Sequence, residues 1–223
     1  MLLASNYFDY AVALNNFYKR LTPWEKKFKY KSFKNFIYLH TINAEYSDIY
    51  FNPSMMSQKL LNEFKKYNII LYVVINDGIQ YNLPHTLENI IIIPKYLINS
   101  KKLDSVISHE LFHIYFRYFN SETLKSFRSI RSIVKIFRRP FIGEITNPDV
   151  SDYEGILIGN KLIFKVLFDG NDNYIEKYFT SLYLKGECIS VRVSTSYEKD
   201  LYNQRLPFVQ NYHSEEMIAE YCA

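Results

Sequence analysis

Cysteine is scarce in this 223-residue chain, which has only Cys188 and Cys222. No CxxC pair or Cys/His spacing is present, which excludes a thiolate-built structural zinc site, and neither cysteine sits in a recognisable nucleophile signature. Two isolated cysteines fit a reducing compartment. Long apolar runs are also lacking. The longest, residues 69–75 and 90–93, fall far short of the roughly 20 residues that a membrane-spanning helix needs and read as buried strands. The N-terminus has no basic segment, and Asp9 interrupts its apolar stretch, so no secretory signal is expected. Repeats, low-complexity tracts and linkers are absent. Together these absences lead us to expect a soluble, cytoplasmic protein folded as one domain over residues 1–223.

What is present is ordinary for a globular domain: 48% hydrophobic and 22% charged residues, enough for a sizeable core. The 21 Tyr and 17 Phe, with abundant Lys, Asn and Ile, match the codons of an AT-rich genome and carry no argument for a stacking surface. The net charge of +4 demands no acidic partner. It is concentrated in two clusters, Lys26, Lys27, Lys29, Lys31 and Lys34, and Arg128, Arg131, Lys135, Arg138 and Arg139, which read first as solvated faces and second as a nucleic-acid or anionic surface.

Periodicity predicts an α+β fold. Helices are expected over 6–20, from the Thr22-Pro23 cap onward, over 54–66 with Met55, Leu60, Leu61 and Phe64 inward, over 102–119, and over 121–138 with Ser121 as cap. Strands are expected over 36–40, 68–75, 88–93, 161–168 and 188–193. A last helix starts at Ser214, read as the N-cap, with Glu215 and Glu216 in its first turn. The arrangement implied is a small N-terminal sheet followed by a helical half that carries the site.

The chemistry lies in the helix over 102–119, which contains His109-Glu110-Leu111-Phe112-His113. Two histidines four residues apart lie on one helix face, one turn apart, so both rings reach a single ion. Glu110 projects about 100° away around the helix and can reach a water without being a ligand. Two of the chain's five histidines are committed to this motif. Zinc is the expected cofactor, held by imidazole nitrogens and a third protein ligand, with a fourth position open for water.

Residues 114–118 carry no third histidine of the HxxGxxH kind. The candidates are Glu144, Asp149, Asp152, Glu154, His213, Glu215, Glu216 and Glu220. Glu216 is preferred, because Glu216 and Glu220 stand in the i, i+4 relation: one carboxylate binds the ion and the other, a turn later, supports a ligand histidine. Glu154, Glu215 and Glu220 remain the alternatives.

His109-Glu110-x-x-His113 followed by a later helical glutamate resembles the gluzincin group of zinc metallopeptidases. There the third ligand is a Glu on a helix, with an acidic residue four positions on supporting a ligand histidine; Glu216 and Glu220 match that pair. The segments Thr146-Asn147-Pro148-Asp149 and His213-Ser214-Glu215-Glu216-Met217-Ile218-Ala219-Glu220 also resemble the "TNPD" and "HPEE" segments of other HExxH proteins, with Ser214 in place of the proline. The resemblance implies a zincin-like domain and a peptide or protein substrate.

On that reading Glu110 is the general base. The developing oxyanion needs a donor beyond the metal; His213 is the first candidate, then Tyr212 and Tyr153, while Asn147 and Asp149 could hold substrate backbone. His213 reads equally well as a polar residue flanking a helix. Two other functions compete: a catalytically degenerate HExxH protein that binds a partner, with nucleic acid on a basic helix over 121–139 as its first form, and a zinc amidase or deacetylase. No recognised nucleic-acid motif supports the first.

Overall fold

The computed structural model describes residues 3–4, 7–41, 44–46, 52–77, 83–119, 122–149, 153–170, 174–208, 210–211 and 213–222. Ser121, Asp152 and Tyr212, each given a role from the sequence, lie outside them, as does the Cys222 side chain; Cys188 is a free thiol. Among the described residues no helix is long and apolar enough to cross a membrane.

The chain runs β1 (Leu3–Ala4), α1 (Tyr7–Arg20), a π-helical turn Glu25–Lys29, α2 (Phe33–Thr41), β2 (Glu45–Tyr46), α3 (Met55–Lys66), β3 (Tyr72–Ile75), β4 (His85–Leu87) and β5 (Ile90–Ile93). Helices α4 (Leu103–Phe119) and α5 (Glu122–Ile130) lead into β6 (Ile133–Ile136), β7 (Tyr153–Ile158), β8 (Lys161–Asp169), β9 (Tyr174–Leu184) and β10 (Glu187–Val193), then α6 (Ser196–Arg205) and α7 (Ser214–Cys222). The α+β class expected from the sequence is the one the chain adopts.

The first sheet has the order β1-β3-β5-β4, with β2 also paired to β3. β3 and β5 are parallel, and β4 returns antiparallel to β5. All four isoleucines of β5 are completely buried, because this strand is covered on both faces. Side chains alternate across a strand. Ile91 and Ile93 therefore enter one core with α3, α4 and α7, and Ile90 and Ile92 enter another with α1 and α2. Such burial is worth about 1.5–3 kcal/mol per side chain, which explains why the HExxH helix is held flat on this sheet: Ile107, Leu111 and Ile114 of α4 are fully buried in the first core.

The second sheet is an antiparallel meander, β10-β9-β8-β7-β6. It follows α5 directly, so the C-terminal half is not the helical half expected. The predicted helix over 121–138 stops at Ile130; Ser132 adopts a left-handed φ of 56°, and the β-branched run from Ile133 pairs with β7. Arg128 then lies on α5 and Arg138 in the loop that follows β6. Both are spent on ion pairs, Arg128 Nε with Glu154 at 2.6 Å and Arg138 Nη1 with Glu144 at 2.7 Å, so the expected basic helix face does not exist.

Residues 36–40 are helical, not a strand. Ser32 Oγ accepts from the Asn35 N–H at 3.2 Å to start α2, and Phe36 and His40, one turn apart, both face inward. In α3 the inward residues are Ser57, Leu60 and Phe64, whereas Met55, in the first turn, is exposed. The Thr22 cap forms as expected: Thr22 Oγ1 accepts from the Glu25 N–H at 3.2 Å, and the Glu25 carboxylate returns to the Thr22 N–H at 3.0 Å, a capping box.

Candidate metal centre

Helix α7 brings the distant carboxylate to α4. Its Ile218 and Ala219 pack in the core under α4, while Met217 enters the core under the second sheet. Ala219 is completely buried, and its small side chain permits the close approach.

The start of α7 is set from β7. The buried Glu154 carboxylate accepts from the Ser214 N–H at 2.6 Å and from the Ser214 hydroxyl at 2.9 Å. Ser214 is therefore the first helical residue and not the cap. His213 holds the cap position instead, its Nδ1 accepting from the Glu215 N–H at 3.2 Å. Burial works against the Glu154 charge, but His213 and Arg128 outweigh it and hold its pKa below the normal carboxylate range.

This places three ligand atoms together. His109 Nε2 and His113 Nε2 are 3.0 Å apart, and each is 3.3 Å from Glu216 Oε2. Four ligands at about 2.0–2.1 Å around a tetrahedral zinc would be separated by about 3.3–3.4 Å, so this triangle has the size such an ion requires. His113 and Glu216 are buried, and His109 is the more open of the three. A second group, Glu110, His113 and Asp149, also has its ligand atoms within 4.8 Å of one another, but it shares His113 and lacks the matched triangle.

The electrostatics fit a cation. Burial disfavours a charge on either partner, yet Glu216, with Asp149 and Glu110 behind it, holds the His113 imidazolium up to a pKa of about 10. Burial likewise opposes the Glu216 carboxylate, but the His113 and His109 rings keep its pKa well below normal. Burial pushes Glu110 well above the usual carboxylate range, with Asp149 adding to it. Glu110 Oε2 and His113 Nδ1 are buried without a hydrogen-bond partner among the described residues.

The carboxylate has its own support. Glu216 Oε1 accepts from Asn147 Nδ2 at 2.7 Å. The Asn147 segment is pinned from two sides. Glu25, fully buried, accepts from the Thr146 N–H at 3.0 Å and the Thr146 hydroxyl at 2.7 Å. Asp149 Oδ1 accepts from the Thr86 hydroxyl at 2.7 Å and the Thr86 N–H at 2.5 Å, and Arg117 of α4 donates to the Asp149 carbonyl at 3.3 Å.

The cluster opens into a cavity of about 450 Å³, with Leu83, His85, Val106, Ile145, Leu167 and Tyr174 in its walls. The cavity brings together His109, Glu110, Glu216, Asn147 and Asp149. Glu220 lines it as well, and accepts from the Gln210 N–H at 3.1 Å; among the described residues His113 Nδ1 has no hydrogen-bond partner. His213, expected as the oxyanion donor, lines a different cavity together with Tyr153, Glu144 and Glu154. Its Nε2 is 3.5 Å from Glu154. Glu215 sits 3.9 Å from Arg128, outside the triangle.

Sequence reasoning missed Glu25, Thr86 and Arg117, and left Asn147 between a contact to substrate backbone and a Pro-containing turn. The capping box at Thr22 and the Asn147-Pro148 turn were visible signals; their partners across the fold were not. No protein-family model, curated protein or solved structure matches this chain.

Proposed function

We propose that this protein is a zinc-dependent metallohydrolase acting on peptides, with His109, His113 and Glu216 as ligands and Glu110 as general base. The observation that carries the reading is the triangle of two imidazole nitrogens and one carboxylate oxygen, 3.0–3.3 Å on a side, opening into a cavity that also contains Glu110. The resemblance of these residues to gluzincins supports the same assignment.

Zinc held there would lower the pKa of a bound water to about 7 and polarise a carbonyl oxygen. The chain's own residues do the rest. Glu110, with Oε2 buried and unpartnered among the described residues, accepts the proton of the attacking water and passes it to the leaving amine. Its burial raises its basicity toward that needed at neutral pH. Val106, Ile145, Pro148 and Leu167 give the substrate an apolar seat and keep other water out. With His213 in the neighbouring cavity, the second oxyanion donor comes from this lining, and the Tyr174 hydroxyl is the candidate. Asn147 serves the ligand Glu216 and not the substrate. A cytoplasmic setting belongs to the reading; the free Cys188 thiol is in keeping with it.

Zinc analysis and hydrolysis of a peptide library test the proposal. We expect one zinc per chain, cleavage abolished by a chelator, and recovery on zinc addition. Cleavage of acylated amines but not peptides would assign the site to an amidase or deacetylase. A chain that retains no zinc, or whose cleavage ignores the chelator, would overturn the reading. The nucleic-acid alternative loses its footing with the break of the basic helix at Ile130.

A further inference from the structure

Two basic segments lie side by side on the surface. The first is the π-helical turn and the residues after it, where Lys27, Phe28, Lys31 and Lys34 are exposed. The second is the loop over 137–143, which follows β6. The two are joined at their roots: Thr22 Oγ1 donates to the Glu144 carbonyl at 3.5 Å, and Glu25 accepts from Thr146. Lys29 of the turn also interacts with Asp169, whose N–H donates to the Gly143 carbonyl at 3.1 Å. We propose that the two segments form a docking surface for a membrane of anionic phospholipid. The inference goes beyond the peptidase reading and does not depend on it.

The loop holds large apolar side chains outward. Phe137 is 85% and Ile142 90% exposed, the highest values among the described large hydrophobic residues. Looseness does not explain this, because the loop is fixed from within. Arg138 donates from Nη1 and Nη2 to the Glu144 carboxylate at 2.7 and 2.8 Å, and its guanidinium lies 3.9 Å from the Tyr153 ring centre. The Phe141 N–H donates to Glu144 at 2.8 Å, and its ring stacks on Phe179 at 4.5 Å. With Arg138 and Phe141 turned inward, Phe137, Arg139 and Ile142 are left in solvent.

The charge around these tips has one sign. Residues 131–143 contain four cations and no acid, and residues 22–35 contain five cations and one acid, Glu25, which is fully buried. Lys31, Lys34 and Arg139 make no ion pair among the described residues. A Lys or Arg beside an anionic bilayer raises partitioning about fivefold, and apolar side chains add to it by entering the acyl boundary. A nucleic-acid backbone would satisfy the cations and leave Ile142 in water. A second copy of this face would set the cations against their own kind. A bilayer takes both features, headgroups beside Arg139 and acyl chains around Phe137 and Ile142.

The test uses the full chain without added metal, and vesicles of phosphatidylcholine with or without phosphatidylserine. Partitioning is measured by co-sedimentation over a range of salt. We expect binding to the phosphatidylserine vesicles that falls as salt rises, and little to phosphatidylcholine alone. Phe137→Ser with Ile142→Ser, and separately Lys27→Glu with Arg139→Glu, should each weaken it by about tenfold or more. All four positions are exposed, and thermal unfolding checks that the variants fold. Met55→Ser, at an 80% exposed residue of α3, should bind like the wild type. No binding, equal partitioning into both vesicles, insensitivity to salt, or undiminished binding in either folded double variant would each overturn the proposal. So would binding of an RNA oligonucleotide tighter than that of the vesicles, which would make the surface one for nucleic acid. The readout is partitioning without metal, so failure of the zinc reading leaves it unaffected.

Discussion

Asn147 and Glu216 are joined by a 2.7 Å hydrogen bond, from the amide Nδ2 to carboxylate Oε1, while Oε2 of the same carboxylate faces the two histidines. The amide thus fixes the rotation of the group whose other oxygen completes the ligand triangle. Outer partners of this kind tune metal affinity by about 10–100-fold. Asn147→Ala is expected to weaken zinc binding within that range without unfolding the protein. Competition against a chromogenic chelator measures it, and an unchanged affinity would remove Asn147 from the site.

The two acidic residues at the start of α7 should separate cleanly. Glu216→Ala removes one of the three proposed ligand atoms and should release zinc on dialysis. Glu215→Ala removes a carboxylate that pairs at most loosely with Arg128, at 3.9 Å, and should retain the metal. Metal content after dialysis decides; equal retention in the two variants would mean that Glu216 is no ligand.

Glu110→Gln keeps the size of the side chain and removes its basicity. Zinc content should be unchanged and peptide hydrolysis abolished. Wild-type turnover in the variant would rule out Glu110 as the base.

Glu154→Ala probes position rather than ligation. It leaves the Ser214 N–H without its acceptor and Arg128 Nε with only the Ser214 hydroxyl, at 3.0 Å. Breaking a buried ion pair in this way costs about 3–5 kcal/mol. Urea unfolding should show that loss, while zinc remains stoichiometric under conditions where the variant is folded. Release of the metal from the folded variant would make Glu154 the third ligand in place of Glu216.

His40 contributes a pH dependence to the stability in the mildly acid range. Burial lowers its pKa from 6.5 to about 4, despite the bond from its ring to the Phe36 carbonyl. The folded state therefore resists a proton that the unfolded chain accepts. The contribution is complete above about pH 6.5, declines as pH falls, and is gone below about 4; the gap corresponds to about 3 kcal/mol. Glu110 and His113, both raised, and His85, lowered by burial, bear on the same window, so the readout is the urea midpoint of the wild type minus that of His40→Gln, which should rise between about pH 4.5 and 7.5. An identical slope in the variant would assign the effect elsewhere.

The readable parts of the fold were those governed by neighbours in sequence. Residues one turn apart share a helix face, so the i, i+4 spacing of His109 and His113 already brought the two rings together. The unbroken Ile90–Ile93 run already required a strand covered on both sides. The Thr22-Pro23 pair already marked a helix start, and the structure added Glu25 as the other half of the cap. Where local preference was ambiguous, burial decided. The aromatic run at 36–40 satisfies a strand as well as a helix until Phe36 and His40 are both turned inward, and the run from Ile133 left the helix only because β7 offered a pairing partner.

The site shows the same division. Spacing along the chain was enough to set His109 and His113 on one face of α4 with Glu110 beside them, because one helical turn fixes their geometry without reference to any other segment. Tertiary structure decided what crosses between segments. It chose Glu216 from among the acidic residues, because Ile218 and Ala219 dock α7 on α4. It moved His213 to a neighbouring cavity, because a helix start needs a cap. It gave Asn147 to Glu216, because Glu25 and Thr86 hold the 146–149 segment in place. Hydrogen bonds of that reach depend on where a packed core sets two backbones, and no spacing along the chain encodes them.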